Sequence, residues 1–308
     1  MRTDRVEFYS GLGPAAGLVR GYWHTPDTAD GRLPAIVQGP GWFGLATAKG
    51  YRRYHEGLTA AGFGILVIDY RGFGDSEGEP GLLSPAMQLE DLISAVTYLT
   101  TRDDVRHEAI GAYATGGTGG GNVVLLADAD PRVRAVVSQV PVADGRDWLH
   151  RMRTEHEWLA FLAELEQDRK ERVSKGSGRL VNPHDELMVQ TPERRSVGFK
   201  SDVDGKVPPA VPLAIAGPLL SYRPAEAAAR LHTPLLVIAV DRDATTPTDH
   251  ATAIYEAARG PKKLLLQRNS GHYTAYAQYA DIVIGEMAAW FRRYLVPPDD
   301  VVISSAGA

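Results

Sequence analysis

Three stretches of this sequence place residues that could do chemistry at the end of a strand-like segment. The first is Ile110-Gly-Ala-Tyr-Ala-Thr-Gly116-Gly-Thr-Gly-Gly-Gly121, where a strand ends near Tyr113 and a helix begins near Gly117. The second is Val240-Asp-Arg-Asp243-Ala-Thr-Thr-Pro247, in which two carboxylates follow an apolar run. The third is Asn269-Ser-Gly-His272-Tyr273, a Gly-His pair between a late strand and the last helix. A histidine oriented by a buried carboxylate is a general base near neutral pH, because the carboxylate fixes its tautomer and stabilises the imidazolium. Eight of the nine histidines lack such a setting. His55 and His250 fall in expected helices. His150 and His156 stand six apart in a charged stretch, which is poor helical spacing for two metal ligands.

The order of these segments resembles the α/β-hydrolase superfamily, whose chains carry nucleophile elbow, acid and histidine in that sequence. The elbow pattern is small-x-nucleophile-x-small, and Ala114 and Thr118 supply the small residues around Gly116. The nucleophile position is therefore a glycine. The resemblance also makes His272 the catalytic histidine and Asp243 the acid, with Asp241 its nearest rival and Asp144, just past the strand Val133–Val140, a third candidate because some family members carry the acid there. The bland alternative is a helix-capping aspartate. A literal G-x-T-x-G, Gly116-Gly-Thr118-Gly-Gly120, would put Thr118 inside the first helical turn. Thr115 would require bulky Tyr113 at the small position. The resemblance also implies an oxyanion hole of two backbone N–H groups, one from Gly117 and one from the loop Gln38-Gly-Pro-Gly-Trp42-Phe-Gly. The family often carries His-Gly-x there. Pro40 replaces the histidine and has no N–H, so the second donor falls to Trp42. Asp69-Tyr-Arg-Gly-Phe-Gly-Asp-Ser76-Glu-Gly resembles the family's next loop, and Ser76, with no elbow around it, is expected to be structural. The resemblance runs from Val6 to Leu295.

A glycine cannot attack a carbonyl, so no acyl-enzyme can form on it. The resemblance then implies a hydrolase of an ester, thioester or amide of a small to medium organic substrate. Its serine is either replaced to trap a complex or naturally lost, with His272 activating water directly. A second reading is a non-hydrolytic enzyme (lyase, isomerase or cyclase) that uses His272–Asp243 as a base. A third is an inactive ligand-binding protein on the same scaffold. The glycine run lacks the lysine of a phosphate loop and stands too late in the chain for a dinucleotide turn, so no nucleotide cofactor is expected.

The elements that must position these residues follow from patterning. Continuous apolar runs such as Gly64–Tyr70 read as buried strands, and Lys49–Ala61, Thr248–Ala258 and the segment ending at Tyr294 have helical spacing. Ser84-Pro85 opens another helix as N-cap and first helical residue. Repeated βα units imply an α/β fold with a mostly parallel sheet and helices on both faces. Val6–Tyr9 and Gly17–His24 are expected as an antiparallel edge pair. The rhythm breaks after Val140, where Trp148–Arg172 has helical pattern and Lys175–Pro212 is rich in Gly, Ser and Pro. The expected division is a core over residues 1–143 and 219–308, with a lid over 144–218. Trp148, Trp158 and Tyr273 are the expected substrate-binding residues, although the lid aromatics could equally pack the lid onto the core. The tail after Pro297 is expected to be loose.

The 308 residues, 44% apolar and 23% charged, suit a globular enzyme, and the absence of cysteine excludes disulfides and thiolate chemistry. A net charge of −5 disfavours nucleic acid. The polar N-terminus has no apolar signal region, and no apolar run approaches the ~20 residues of a membrane span. The expectations are a cytoplasmic protein with a small-molecule substrate, no metal, cofactor, nucleic-acid or membrane partner, and homodimerisation left open.

Overall fold

The computed structural model describes residues 1–28, 31–188, 191–197 and 204–296. Strands β1 (Arg2–Ser10) and β2 (Gly17–Thr25) form the expected antiparallel pair at one edge. The centre is built by β3 (Leu33–Gly39), β4 (Gly64–Asp69), β5 (Val105–Thr115) and β6 (Val133–Gln139). Two-residue strands β7 (Leu180–Val181) and β8 (Val211–Pro212) make a separate antiparallel ribbon. Strands β9 (Leu235–Val240) and β10 (Lys262–Gln267) complete an eight-stranded sheet of order β1-β2-β4-β3-β5-β6-β9-β10. From β4 to β10 all neighbours are parallel. This is the α/β-hydrolase fold.

Every residue of β3, β4 and β9 is buried, because helices cover both faces of the sheet. Alternate strand residues point to opposite faces. Ile36, Ile65 and Val137 pack with helices α1 (Lys49–Ala60) and the C-terminal helix, whereas Val37, Leu66 and Val136 pack with α2 (Pro85–Leu99) and α3 (Gly117–Ala129). The Ser84 hydroxyl caps α2 by accepting from Met87 N, with Pro85 at the first position as expected.

The expected helical stretch over Trp148–Arg172 is two helices, α4 (Gly145–Arg151) and α5 (Glu155–Lys175). Thr154 and Glu157 form a reciprocal capping box that starts α5 afresh. Then come α6 (Pro192–Val197), α7 (Ala216–Leu220), α8 (Pro224–Ala228), α9 (Thr248–Ala257), α10 (Ala275–Gln278) and α11 (Ala280–Leu295). The tail after Pro297 lies outside the described residues. Among the described residues no helix is long and apolar enough to cross a membrane.

A buried ion pair ties the β4 exit to α2. Arg71 Nε donates to Asp91 Oδ1 at 2.6 Å and Arg71 N to Asp91 Oδ2 at 2.9 Å. Both side chains are at most 1% exposed. Arg71 Nη2 also donates to Glu90, so Asp91→Ala leaves the guanidinium one of its two carboxylate partners. The substitution is expected to lower stability by less than the about 3–5 kcal/mol of a fully broken buried pair, read as a fall in the urea midpoint at unchanged slope.

Two further buried groups make stability pH-dependent. His24 and His55 lie with ring centroids 4.7 Å apart, and His55 Nε2 is 2.6 Å from Gln38 Oε1. Burial pushes His24 down to about 4 and His55 down to about 3 from an ordinary 6.5. The unfolded chain therefore binds these protons first, so stability present above pH 6.5 is lost progressively as pH falls toward 4 and then 3. Denaturant titrations between pH 7 and 4 are expected to show this loss, and His55→Gln to flatten it.

Candidate active site

The turn from β5 into α3 brings the chain round at Gly116, whose φ of 81° and ψ of 155° belong to a region almost reserved for glycine. Its N–H donates to Gln139 O at 3.1 Å, and Gly120 N donates back to Gly116 O at 2.7 Å. The glycines that follow serve close packing. A Cβ on Gly119 would lie 3.0 Å from the Gly41 Cα and the Pro40 carbonyl, and one on Gly120 2.9 Å from the Gln139 carbonyl. The glycine-rich run is thus shaped by neighbouring backbone, which accounts for it without a phosphate. Thr118 lies in the first turn of α3 and is buried, with its carbonyl accepting from Tyr222 Oη.

The loop after β3 presses on this turn. A Cβ on Gly41 would fall 2.6 Å from the Thr115 carbonyl. Trp42 follows at once, buried against Phe43 and Trp148 with centroids 5.0 and 5.3 Å away. Gly117 is the first residue of α3, where a helix N–H has no partner within its own helix and the helix dipole favours negative charge. The far end of the β3 loop is held by Ala46 N, which donates to Asp69 Oδ1 at 2.7 Å. Burial pushes the Asp69 carboxyl up to about 6.

Asp243 stands in the turn after β9. Its Oδ1 accepts from Thr245 N at 2.8 Å and Thr246 N at 2.6 Å, and its Oδ2 lies 2.8 Å from His272 Nδ1. The Asp243 side chain is 1% exposed and that of His272 5%. A carboxylate in this position requires the proton on Nδ1, so the Nε2 lone pair is left as the basic atom. The elbow and these two loops meet. A Cβ on Gly117 would lie 3.2 Å from Thr246 Oγ1, and Thr115 Oγ1 donates to Tyr276 Oη at 2.7 Å. The Tyr276 ring is itself 6.2 Å from the His272 ring.

The rival acids have other work. Asp241 accepts from Asn269 N and Ser270 N at 2.9 and 3.2 Å, which also holds it below the usual carboxylate range. Asp144 caps α4 through Arg146 N and Asp147 N and pairs with Arg223. Ser76 donates to the Asp69 carbonyl at 2.6 Å and accepts from Arg20 N at 2.8 Å, a structural tie. His250 accepts from Ala143 N and faces Asp147, a satisfied buried histidine. His150 meets Glu155, and His156 meets Thr154.

The expected substrate-binding residues separate. Trp148 is buried under the acid loop, its indole N–H donating to the Thr245 carbonyl at 2.8 Å. With Thr191 and Pro247 it lines a cavity of about 180 Å³. Tyr273 stands edge-on to His272 at 4.9 Å, and burial pushes its hydroxyl up to about 12. Trp158 instead stacks on His150 at 4.8 Å and meets Phe161 and the Arg146 guanidinium, all between β6 and β9. A larger cleft, about 1040 Å³, opens elsewhere, between β2 and α1 at Tyr22, His24, Arg52 and His55. It does not include Gly116, Asp243 or His272, so its size says nothing about their chemistry.

Sequence reading missed Glu193, in α6. Its Oε1 accepts from both Tyr273 N and Thr274 N at 2.9 Å, the two residues following the histidine. The carboxylate packs close on Gly271, where a Cβ would lie 2.5 Å from Glu193 Oε2 and would push that carboxylate aside. Nothing local to Glu193 in sequence marks this long-range contact. Glu193→Ala is expected to speed amide hydrogen exchange at Tyr273 and Thr274 by about 10–100-fold, the scale of a lost charge-assisted hydrogen bond. Exchange in the middle of β9 should be unchanged.

A family model described as X-Pro dipeptidyl-peptidase (S15 family) matches residues 22–274. The chain belongs to this family of α/β-hydrolases. It is 32% identical to an uncharacterized 31.7 kDa protein in the traX-finO intergenic region of Escherichia coli, over 79% of this chain and 85% of that one. It is 28% identical to the quorum-quenching protein AidA of Acinetobacter baumannii, over 90% and 91% of the two chains. The structure of DcsB in complex with its substrate analogue superposes with a TM-score of 0.81 at 21% identity, over 95% of this chain and 99% of that one. That likeness speaks to fold. This S15-family member is an α/β-hydrolase enzyme.

Proposed function

We propose that this S15-family enzyme hydrolyses an ester, thioester or amide of a small to medium organic substrate, with water rather than a side chain as the attacking group. The observation that carries the reading is the His272–Asp243 pair at 2.8 Å, packed against an elbow whose central residue is glycine. In this reading His272 Nε2 takes a proton from water as the water oxygen bonds to the carbonyl carbon. The carbonyl electron pair moves onto oxygen, where the N–H groups of Gly117 and Trp42 receive it. Collapse of the tetrahedral intermediate breaks the bond to the leaving group, which takes the proton back from the imidazolium. Acid and alcohol, thiol or amine are released, and no acyl-enzyme forms. Asp243 orients the imidazole and stabilises its cation.

In this reading the segment 144–218 serves as a lid, and Trp148, under the acid loop, and Tyr273, beside the histidine, are the residues expected to meet substrate. The relative AidA is named for quorum quenching, which makes small signalling molecules the first substrates to assay alongside chromogenic esters and thioesters.

The test uses the protein as it stands, in ¹⁸O-water. The expected outcome is turnover with label in the acid product, no acyl adduct in the intact mass, and a fall in kcat of about 10²–10⁴-fold for His272→Ala. Unchanged turnover in His272→Ala, or no turnover with any ester, thioester or amide offered, would overturn the reading. Rearranged or eliminated product without label would point to lyase or isomerase chemistry on the same pair.

A further inference from the structure

We propose that Trp148 is a positioning residue for the acid: its indole N–H, gripping the carbonyl of the amide that joins Thr245 to Thr246, fixes the plane in which the Asp243 carboxylate faces His272. This rests on the reading above in which Asp243 and His272 act as a pair.

An aspartate side chain does not set its own carboxylate plane, because its last torsion is broad and soft. At Asp243 the plane is set by hydrogen bonds. Oδ1 accepts from Thr245 N at 2.8 Å and from Thr246 N at 2.6 Å, while Oδ2 lies 2.8 Å from His272 Nδ1. The shorter backbone bond comes from the amide between Thr245 and Thr246. The carbonyl of that same amide accepts from Trp148 Nε1 at 2.8 Å. A peptide unit is planar and rigid, so a grip on its oxygen fixes where its N–H points. An indole N–H only donates, so the chain of bonds runs one way, from indole through amide to carboxylate.

Trp148 is itself held from several sides. It is 1% exposed, its ring stands edge-on to Trp42 at 5.3 Å, and its backbone N–H donates to the Asp144 carbonyl at 3.0 Å in the first turn of α4. Its neighbour Asp147 faces His250 Nε2, in α9, at 2.8 Å. Ala143 N donates to His250 Nδ1, so Nε2 carries a proton and Asp147 accepts it. This pins α4 to the core on one side of the indole, and the acid loop hangs from the indole on the other. The indole nitrogen is engaged by Thr245, so what Trp148 offers to the cavity of about 180 Å³ is its ring. Donor and ring are separate properties, and each can be removed without the other.

The test replaces Trp148 by benzothienylalanine, an isostere with sulfur in place of the indole N–H, alongside Trp148→Phe. In ¹H–¹⁵N spectra the Thr246 amide proton and the His272 Nδ1 proton, the latter assigned by its loss in His272→Ala, are both expected to move upfield as their bonds to Asp243 weaken. The thermal unfolding midpoint of the isostere should stay near that of the parent. In ester hydrolysis kcat is expected to fall about two- to tenfold, the range of one lost hydrogen bond, with KM within about twofold because the ring is kept. Trp148→Phe should give the same upfield shifts and at least as large a fall. An unmoved His272 Nδ1 proton in the isostere overturns the inference, whatever the rate does. So does an unchanged kcat in an active parent, and a raised KM beside it would make Trp148 a substrate contact only. A parent that turns over no ester, thioester or amide removes the hydrolytic reading alone, and the spectra still decide whether Trp148 sets the geometry of the Asp243–His272 pair.

Discussion

The structure depends on the close approach of two stretches of backbone, the loop after β3 and the turn from β5 into α3. A side chain on Gly41 would strike the Thr115 carbonyl, and one on Gly119 would crowd Pro40 and Gly41. Pressed together in this way, the start of α3 and the Trp42 backbone share one side of the sheet's carboxyl edge. In the proposed reaction, donors held in this way would not have to reorganise as charge develops on the carbonyl oxygen. The same edge carries visible backbone strain. Among the described residues, the non-glycine positions with positive φ are Phe43, Val140 and Asn269, in the loops that follow β3, β6 and β10. Strain of this kind persists only where surrounding structure over-determines it.

The histidine loop is hung on three carboxylates from different parts of the chain. Asp241 takes the backbone N–H groups of Asn269 and Ser270, Asp243 takes the His272 ring, and Glu193 takes Tyr273 and Thr274. Two of these come from the turn after β9 and one from α6. The core therefore fixes the near half of the loop, and the far half is shared with the segment between β6 and β9. Through Glu193, α6 is tied to the backbone that carries His272.

The contact of Asp243 with His272 and the place of Gly116 at the turn into α3 were legible in sequence because each residue follows a strand with strong local punctuation: small residues, an Asp before a proline, a Gly-His pair. The parallel order of the sheet was legible for the same reason, since buried strands read as unbroken apolar runs. The division of α4 from α5 was also written in the sequence, as Thr154-x-x-Glu157, but the continuous helical spacing from Trp148 onward hides it. Glu193 and Tyr276 were not legible. A glutamate in a polar stretch and a tyrosine in a short helix look ordinary until the fold brings them to residues 80 and 161 positions away.

The backbone at Gly116 has one more consequence. Its φ of 81° is comfortable for glycine but would cost a serine there about 1–3 kcal/mol. Any chain with a side chain at this position and the same backbone would carry that cost, and this one does not, so glycine at 116 leaves a wider margin of stability for substitutions elsewhere.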